Sequence, residues 1–292
     1  MTAALQARRI DVTEAEYHAD PCETPSLSSS LAKVLLSKSP LHAWHQHPRL
    51  GAGKREEKAV FDKGQLAHKL LLGKGREIAI IEADDFRSKG AREARDQAYN
   101  DGKIPALVAA FENATKAAEA WTSRLADKGI VLSGESEIQI VYQTLTNRGP
   151  IWVRIMVDHI IRGPRSIVAY DFKTTQSAHP RACVNSIVKY AYDVQQAAYV
   201  QGLALWAPEC ARDLEFAFLF GELAAPYDIT PGRLDDALRE HGEEGWSRAV
   251  LEFGEHTASS QAWPGYTNGM ITFEAPGWLV NETEIAFETT EE

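Results

Sequence analysis

The chain is poor in cysteine: Cys22, Cys183 and Cys210 lie far apart along 292 residues. So sparse a set builds neither a disulfide framework nor a four-thiolate zinc or iron–sulfur site, and a reducing cytoplasm is the simplest compartment. No apolar run approaches the length of a membrane span, and the N-terminus has neither the basic nor the apolar region of a secretory signal. A soluble, cytoplasmic protein with no membrane partner is expected. A Gly-x-x-x-x-Gly-Lys-Ser/Thr loop is missing, which argues against a fused ATP-driven motor, and no Gly-x-Ser-x-Gly elbow occurs. Basic residues are outnumbered, 31 Lys and Arg against 41 Asp and Glu, for a net charge of −10. That excludes a broadly basic surface coating nucleic acid, but not a local basic groove.

What remains is an ordinary globular balance, 44% hydrophobic and 25% charged, enough to bury a core without staples. Residues 1–25 show little periodicity and read as a loosely held arm. Ser28 or Ser29 caps a helix whose Leu31, Val34 and Leu35 share one face. VFDKGQLAHKLLLG reads as a helix stopped by Gly73 or Gly75, IAIIEA as a short strand, and FRSKGAREARDQAYN and PALVAAFENATKAAEAWTSRLA as two amphipathic helices. EIQIVYQTL, PIWVRIMVDHII and SIVAYDFKTT are three β-branched segments separated by TNRG and RGPR. A helix from Ser186 to Trp206, a strand at LEFAFLF and a late helix at LDDALREHGEEGWSRAVLEF follow. The tail 281–292 is acidic. One α/β domain, from about residue 26 to 280, is the economical division.

The three central strands make two hairpins. If TNRG closes the first with Thr146 opposite Gly149, Glu137 falls opposite Asp158. If Arg162–Arg165 forms the second loop, Ile161 pairs with Ser166 and Asp158 faces Ala169, two residues before Asp171. Side chains two apart share a face, so Glu137, Asp158, Asp171 and Lys173 converge on one patch. Carboxylates so crowded repel one another unless a cation neutralises them. Oxygen ligands suit Mg²⁺, with Mn²⁺ as a substitute, and such an ion binds phosphate oxygens and activates water. Lys173 can orient that water, take its proton or stabilise developing charge. The alternative is that these are strand-end charges facing solvent.

WVRIMVD, IVAYDFKTT and YAYDVQQAAYVQGL resemble the core of the PD-(D/E)XK nucleases, and most of all the RecE-type exonucleases of phages and prophages, relatives of lambda exonuclease. The resemblance spans roughly residues 26–220. It implies a PD-(D/E)XK core, with a central mixed twisted sheet flanked by helices and a helical N-terminal half. It implies that Asp158, Asp171 and Glu137 bind metal, with Glu135 competing for the last position, and that Phe172 offers its backbone carbonyl. Lys173 acts on the water. A Gln-x-x-x-Tyr pattern nominates Gln195 and Tyr199, which position the lysine or the phosphate. GQLAHKLLL resembles the family's Gly-x-x-x-His helix, nominating His68 as a ligand and Gly64 for close approach. Ser28 and Ser29 suggest either simple capping or phosphate contact at a helix N-terminus. His42, His45 and His47 are expected at the surface. Val157 stands where the family name has Pro. The activity implied is Mg²⁺-dependent, ATP-independent degradation of linear double-stranded DNA from 5′ ends. It would leave 3′ tails for a single-strand annealing recombinase, and the protein would work as a ring-shaped homo-oligomer. An endonuclease on the same core, or a non-catalytic DNA-binding protein on a nuclease scaffold, are the alternatives.

Overall fold

A computed structural model describes residues 5–51 and 59–277, with the backbone alone at 59–62. In chain order it has β1 (Ala7–Ile10), α1 (Glu14–His18), β2 (Leu27–Ser28), α2 (Ser29–Ser37), α3 (Pro40–Gln46), α4 (Ala59–Leu72) and β3 (Ile78–Ile81). Next come α5 (Lys89–Asn100), β4 (Ile104–Leu107), α6 (Val108–Asp127), β5 (Glu135–Thr146), β6 (Gly149–Arg162) and β7 (Ser166–Thr175). The described chain continues with α7 (Pro180–Lys189), α8 (Tyr192–Trp206), β8 (Asp213–Glu222), β9 (Ile229–Gly232) and α9 (Asp236–Ala258). Among these residues no helix is long and apolar enough to cross a membrane. The acidic tail 281–292 lies outside them.

The main sheet runs β1-β5-β6-β7-β8-β9, with β2 added alongside β6. β7 and β8 are parallel, as are β2 and β6, and the other neighbours are antiparallel, so the sheet is mixed. β3 and β4 form a separate parallel pair. Side-chain alternation along the strands feeds two cores, one on each face. On one face Ile140, Ile155, Ala169 and Phe218 pack with Leu31 and Leu35 of α2, Val194 and Leu203 of α8, and Phe253 of α9. On the other, Tyr170, Phe172 and Leu219 pack with Ala67 of α4 and Trp121 and Leu125 of α6. This is the mixed sheet flanked by helices that the sequence implies.

Several details differ from the sequence reading. Much of the supposed N-terminal arm is held in place. β1 pairs with β5 from Ala7↔Tyr142 to Ile10↔Gln139, a Thr13–Glu16 capping box starts α1, and Tyr17 is buried. Arg8 and Arg9 are exposed on an edge strand bound by backbone ladder bonds, which no hydrophobic alternation announces. Ile104–Leu107 is a strand rather than the start of α6. The helix expected from Ser186 to Trp206 is two helices, broken at Ala191, whose φ of 48° is left-handed. The first hairpin has the expected register, Thr146↔Gly149. The second pairs Arg162 with Ile167 because Gly163 N–H bonds the Ser166 carbonyl at 2.9 Å and closes the turn there. That is two residues from the expected register, and a shift of two leaves every side chain on its face.

Candidate active site

The site begins where two strands part. The β6–β7 ladder ends at His159↔Tyr170. One residue beyond it, Asp158 Oδ2 accepts the Phe172 N–H at 2.7 Å, so a carboxylate takes a donor that a ladder bond would otherwise hold. On the other side of Asp158, the β5–β6 pairs Ser136↔His159 and Ile138↔Val157 bracket Glu137, which is itself left-handed with φ of 56°. Side-chain alternation resets here: Ile155, Val157 and Ile160 all enter the same core although 157 and 160 differ by three. Left-handed backbone is costly for a residue with a Cβ and is retained where the surroundings enforce it. Here it accompanies the turning of Glu137 toward Asp158 and α4.

α4 is anchored by Leu66 and Ala67, buried in two clusters, and from the next position His68 reaches the fork. His68 Nε2 lies 3.4 Å from Asp158 Oδ1, and Nδ1 lies 3.8 Å from Glu137 Oε1. Asp171, at 1% exposure, has Oδ2 paired with Lys173 Nζ at 2.5 Å, and its Oδ1 accepts from Gln195 Nε2 at 2.6 Å. The structure therefore brings His68, Glu137, Asp158, Asp171, Lys173 and Gln195 together. Glu135 turns away to pair with Arg9 at 2.6 Å. The Phe172 side chain lies on the opposite core, 5.0 Å from Trp121 between ring centres. Tyr199 is buried with its ring edge-on to Phe216, and its hydroxyl pairs with Ser29.

Two expectations around the site are corrected, and one is met. His47 is not at the surface: it is fully buried, its Nε2 3.1 Å from the Ser26 carbonyl and 3.4 Å from Asp20 Oδ2. Gly64 is not required for close approach, since a Cβ there would meet Thr174 Oγ1 at an ordinary 3.5 Å. Ser28 is an N-cap as expected, accepting from Leu31 N–H at 3.3 Å. Two site residues were missed. Lys33 Nζ donates to Gln195 Oε1 at 3.0 Å, and the Tyr192 ring carries Lys33 at 4.8 Å and Lys173 at 4.7 Å. A signal existed for Lys33, which interrupts the apolar run LAKVLL. Tyr192 had none, because the break at Ala191 that points it inward is invisible in the periodicity.

The electrostatics follow from burial set against neighbours. Burial pushes Asp171 up to about 6 despite Lys173 beside it, and it also raises Glu137. Burial opposes charge on Asp158, but His68, Lys173 and the Phe172 N–H outweigh it and hold the carboxyl below its ordinary value. Partial burial lowers the half-buried His68, yet Asp158 and Glu137 outweigh this and raise it. Lys173 is raised, because Asp171 and Asp158 outweigh its burial, whereas burial and the neighbouring Lys173 lower Lys33 to about 7. Lys173 is thus an ammonium, suited to donating and to stabilising negative charge.

Asp158, Asp171, Glu137 and His68 are the residues that could hold a divalent ion. Among the described residues no three His, Cys, Asp or Glu side chains stand as a preformed cage. The donors are turned instead toward Lys173, Gln195 and the backbone. Their chemistry nevertheless fits a hard cation: they are mostly oxygens, and the buried Asp171 is incompletely compensated by its protein partners.

No family model matches the chain, and no curated protein matches it either. Its fold is shared with solved structures. One is the crystal structure of a proposed exonuclease from Eubacterium rectale, similar over 93% of this chain and 98% of that one at 13% identity, with a TM-score of 0.57. The structure of the protein SSO0001 also aligns, over 71% of this chain and 90% of its own at 14% identity, but at a TM-score of 0.28, too low for a shared fold.

Proposed function

We propose that the chain is a metal-dependent nuclease of the PD-(D/E)XK class that hydrolyses phosphodiester bonds of DNA. The observation that carries this reading is the convergence at the β6–β7 fork of Asp158, Asp171, Glu137, His68 and Lys173. The fold shared with the Eubacterium rectale protein supports it. Mg²⁺, or Mn²⁺ in its place, would be held by Asp158, Asp171, Glu137 and His68, with the Phe172 carbonyl as a further donor. When bound, the ion would supply an activated water and charge stabilisation for a phosphodiester. The chain's own part is derived from its geometry. Lys173, held on Asp171 and against Tyr192, donates to the phosphate or to the water. Gln195 fixes Asp171, and the two cores hold the strands and helices that carry these groups.

The reading extends to an exonuclease on linear duplex DNA, working 5′ to 3′ without ATP. Its 3′ tails would serve a single-strand annealing recombinase, and a homo-oligomeric ring would thread the duplex, with the acidic surface outside and a basic interior. These extensions rest on the sequence resemblance. Incubation of linear and covalently closed duplex with Mg²⁺ and no ATP tests them. Loss of the linear form alone marks an exonuclease, and cutting of the closed circle marks an endonuclease.

A further inference from the structure

We propose that Lys33 is a positioning residue that fixes Asp171 through the amide of Gln195. The effect on catalysis rests on the nuclease reading; the positioning itself does not. An ammonium only donates and an ionised carboxylate only accepts, whereas a glutamine amide does both. Gln195 lies between a lysine nitrogen that donates and a carboxylate that accepts: its Oε1 takes Lys33 Nζ at 3.0 Å and its Nε2 gives to Asp171 Oδ1 at 2.6 Å. Only one orientation of the amide satisfies both neighbours, so its direction is dictated chemically.

The anchor at the far end is firm. Lys33 projects from α2, whose Leu31, Ala32 and Leu35 are buried in the core beneath β6 and α8. Its ammonium also lies over the Tyr192 ring, which carries Lys173 as well. Gln195 is itself buried, so without Lys33 its Oε1 would be left without a donor and the amide would be free to turn. A turned amide presents oxygen to Asp171 Oδ1, repelling it instead of holding it. Asp171 would then keep only Lys173, and both would shift.

The test uses the full chain with glutamine side chains labelled with ¹⁵N, the Gln195 signal being assigned from its absence in Gln195→Ala. Lys33→Met should speed solvent exchange of the Gln195 amide by about tenfold or more, and Lys33→Arg, which still donates, should restore protection. An unchanged Gln195 signal in Lys33→Met overturns the proposal whether or not the protein is a nuclease. On linear duplex with Mg²⁺, Lys33→Met should lower kcat about tenfold or more, leave KM within about twofold, and cost nothing further in a Gln195→Ala background. Additive losses with a raised KM would make Lys33 a phosphate contact and overturn positioning. A wild type without nuclease activity would remove the function proposed above and leave the exchange measurement to decide Lys33.

Discussion

Asp158 holds the Phe172 amide at 2.7 Å, in the place where the β6–β7 ladder has just ended. One carboxylate oxygen is thereby tied to the backbone while the other faces His68 at 3.4 Å. A side chain anchored in this way serves structure and site at once, and two substitutions separate the roles. Asparagine keeps an acceptor for the amide but loses the charge. Asp158→Asn should melt close to wild type and lose at least about 100-fold in DNA hydrolysis. Asp158→Ala leaves the Phe172 N–H unpaired and should cost a further ~1–3 kcal/mol in a denaturant titration.

Without metal, the contribution of Asp171 to stability should fall as pH rises through about 6. Asp171, raised to about 6, binds its proton more tightly in the folded chain than in the unfolded one. Its contribution is present below the unfolded carboxyl value and lost as pH climbs through about 6. Glu137 and His68 are raised too and act in the same direction. Asp158, which is lowered, acts oppositely at lower pH, and from about pH 5 to 8 His47, lowered to about 4, His159, also lowered, and Lys33, lowered to about 7, act oppositely too. Melting temperatures in EDTA across these pH values check this by difference: Asp171→Asn should lose the falling contribution, so that it gains on wild type as pH rises through about 6. Added Mg²⁺ should stabilise wild type at pH 8 and stabilise Asp171→Asn less.

Gly221 on β8 ties core packing to the site. A Cβ there would stand 2.7 Å from the Trp121 ring and 3.0 Å from the Phe172 ring, and Trp121 is fully buried. Gly221→Ala should cost ~1–3 kcal/mol by overpacking. Because Phe172 lies between Asp171 and Lys173, activity should fall with it. A variant as stable and as active as wild type would show that the aromatic pair yields freely.

Legibility followed the kind of force involved. Hydrophobic alternation marked the central strands, and a tight turn at TNRG set the first register correctly. Glu137, Asp158, Asp171 and Lys173 could therefore be placed on one patch, and the two-residue shift in the second hairpin did no harm. The left-handed backbone at Glu137 could not be read, because it arises from how β5 fits α4 and β6. The buried His47 was equally hidden, its partners Asp20 and Ser26 being brought to it by tertiary folding. Lys33 escaped because α2 reaches the site only once it crosses α8, a contact between residues 162 apart in sequence.

Tyr199 separates motif from mechanism. Its hydroxyl is paired with Ser29 and its ring packs on Phe216, so it props the wall behind Gln195. Tyr199→Phe should lose about 1 kcal/mol of stability and keep hydrolysis within a few-fold of wild type. A loss of activity approaching that of Asp158→Asn would place the hydroxyl in the chemistry instead.

The most direct test of the account is hydrolysis of linear duplex DNA with Mg²⁺ by wild type and Lys173→Ala, with circular dichroism confirming that both are folded. The account predicts digestion by wild type, its abolition by EDTA, and a loss of at least about 100-fold in the variant. Equal digestion by the two proteins would place the chemistry elsewhere. No digestion by wild type with either Mg²⁺ or Mn²⁺ would contradict the nuclease reading and leave a binding protein on this scaffold.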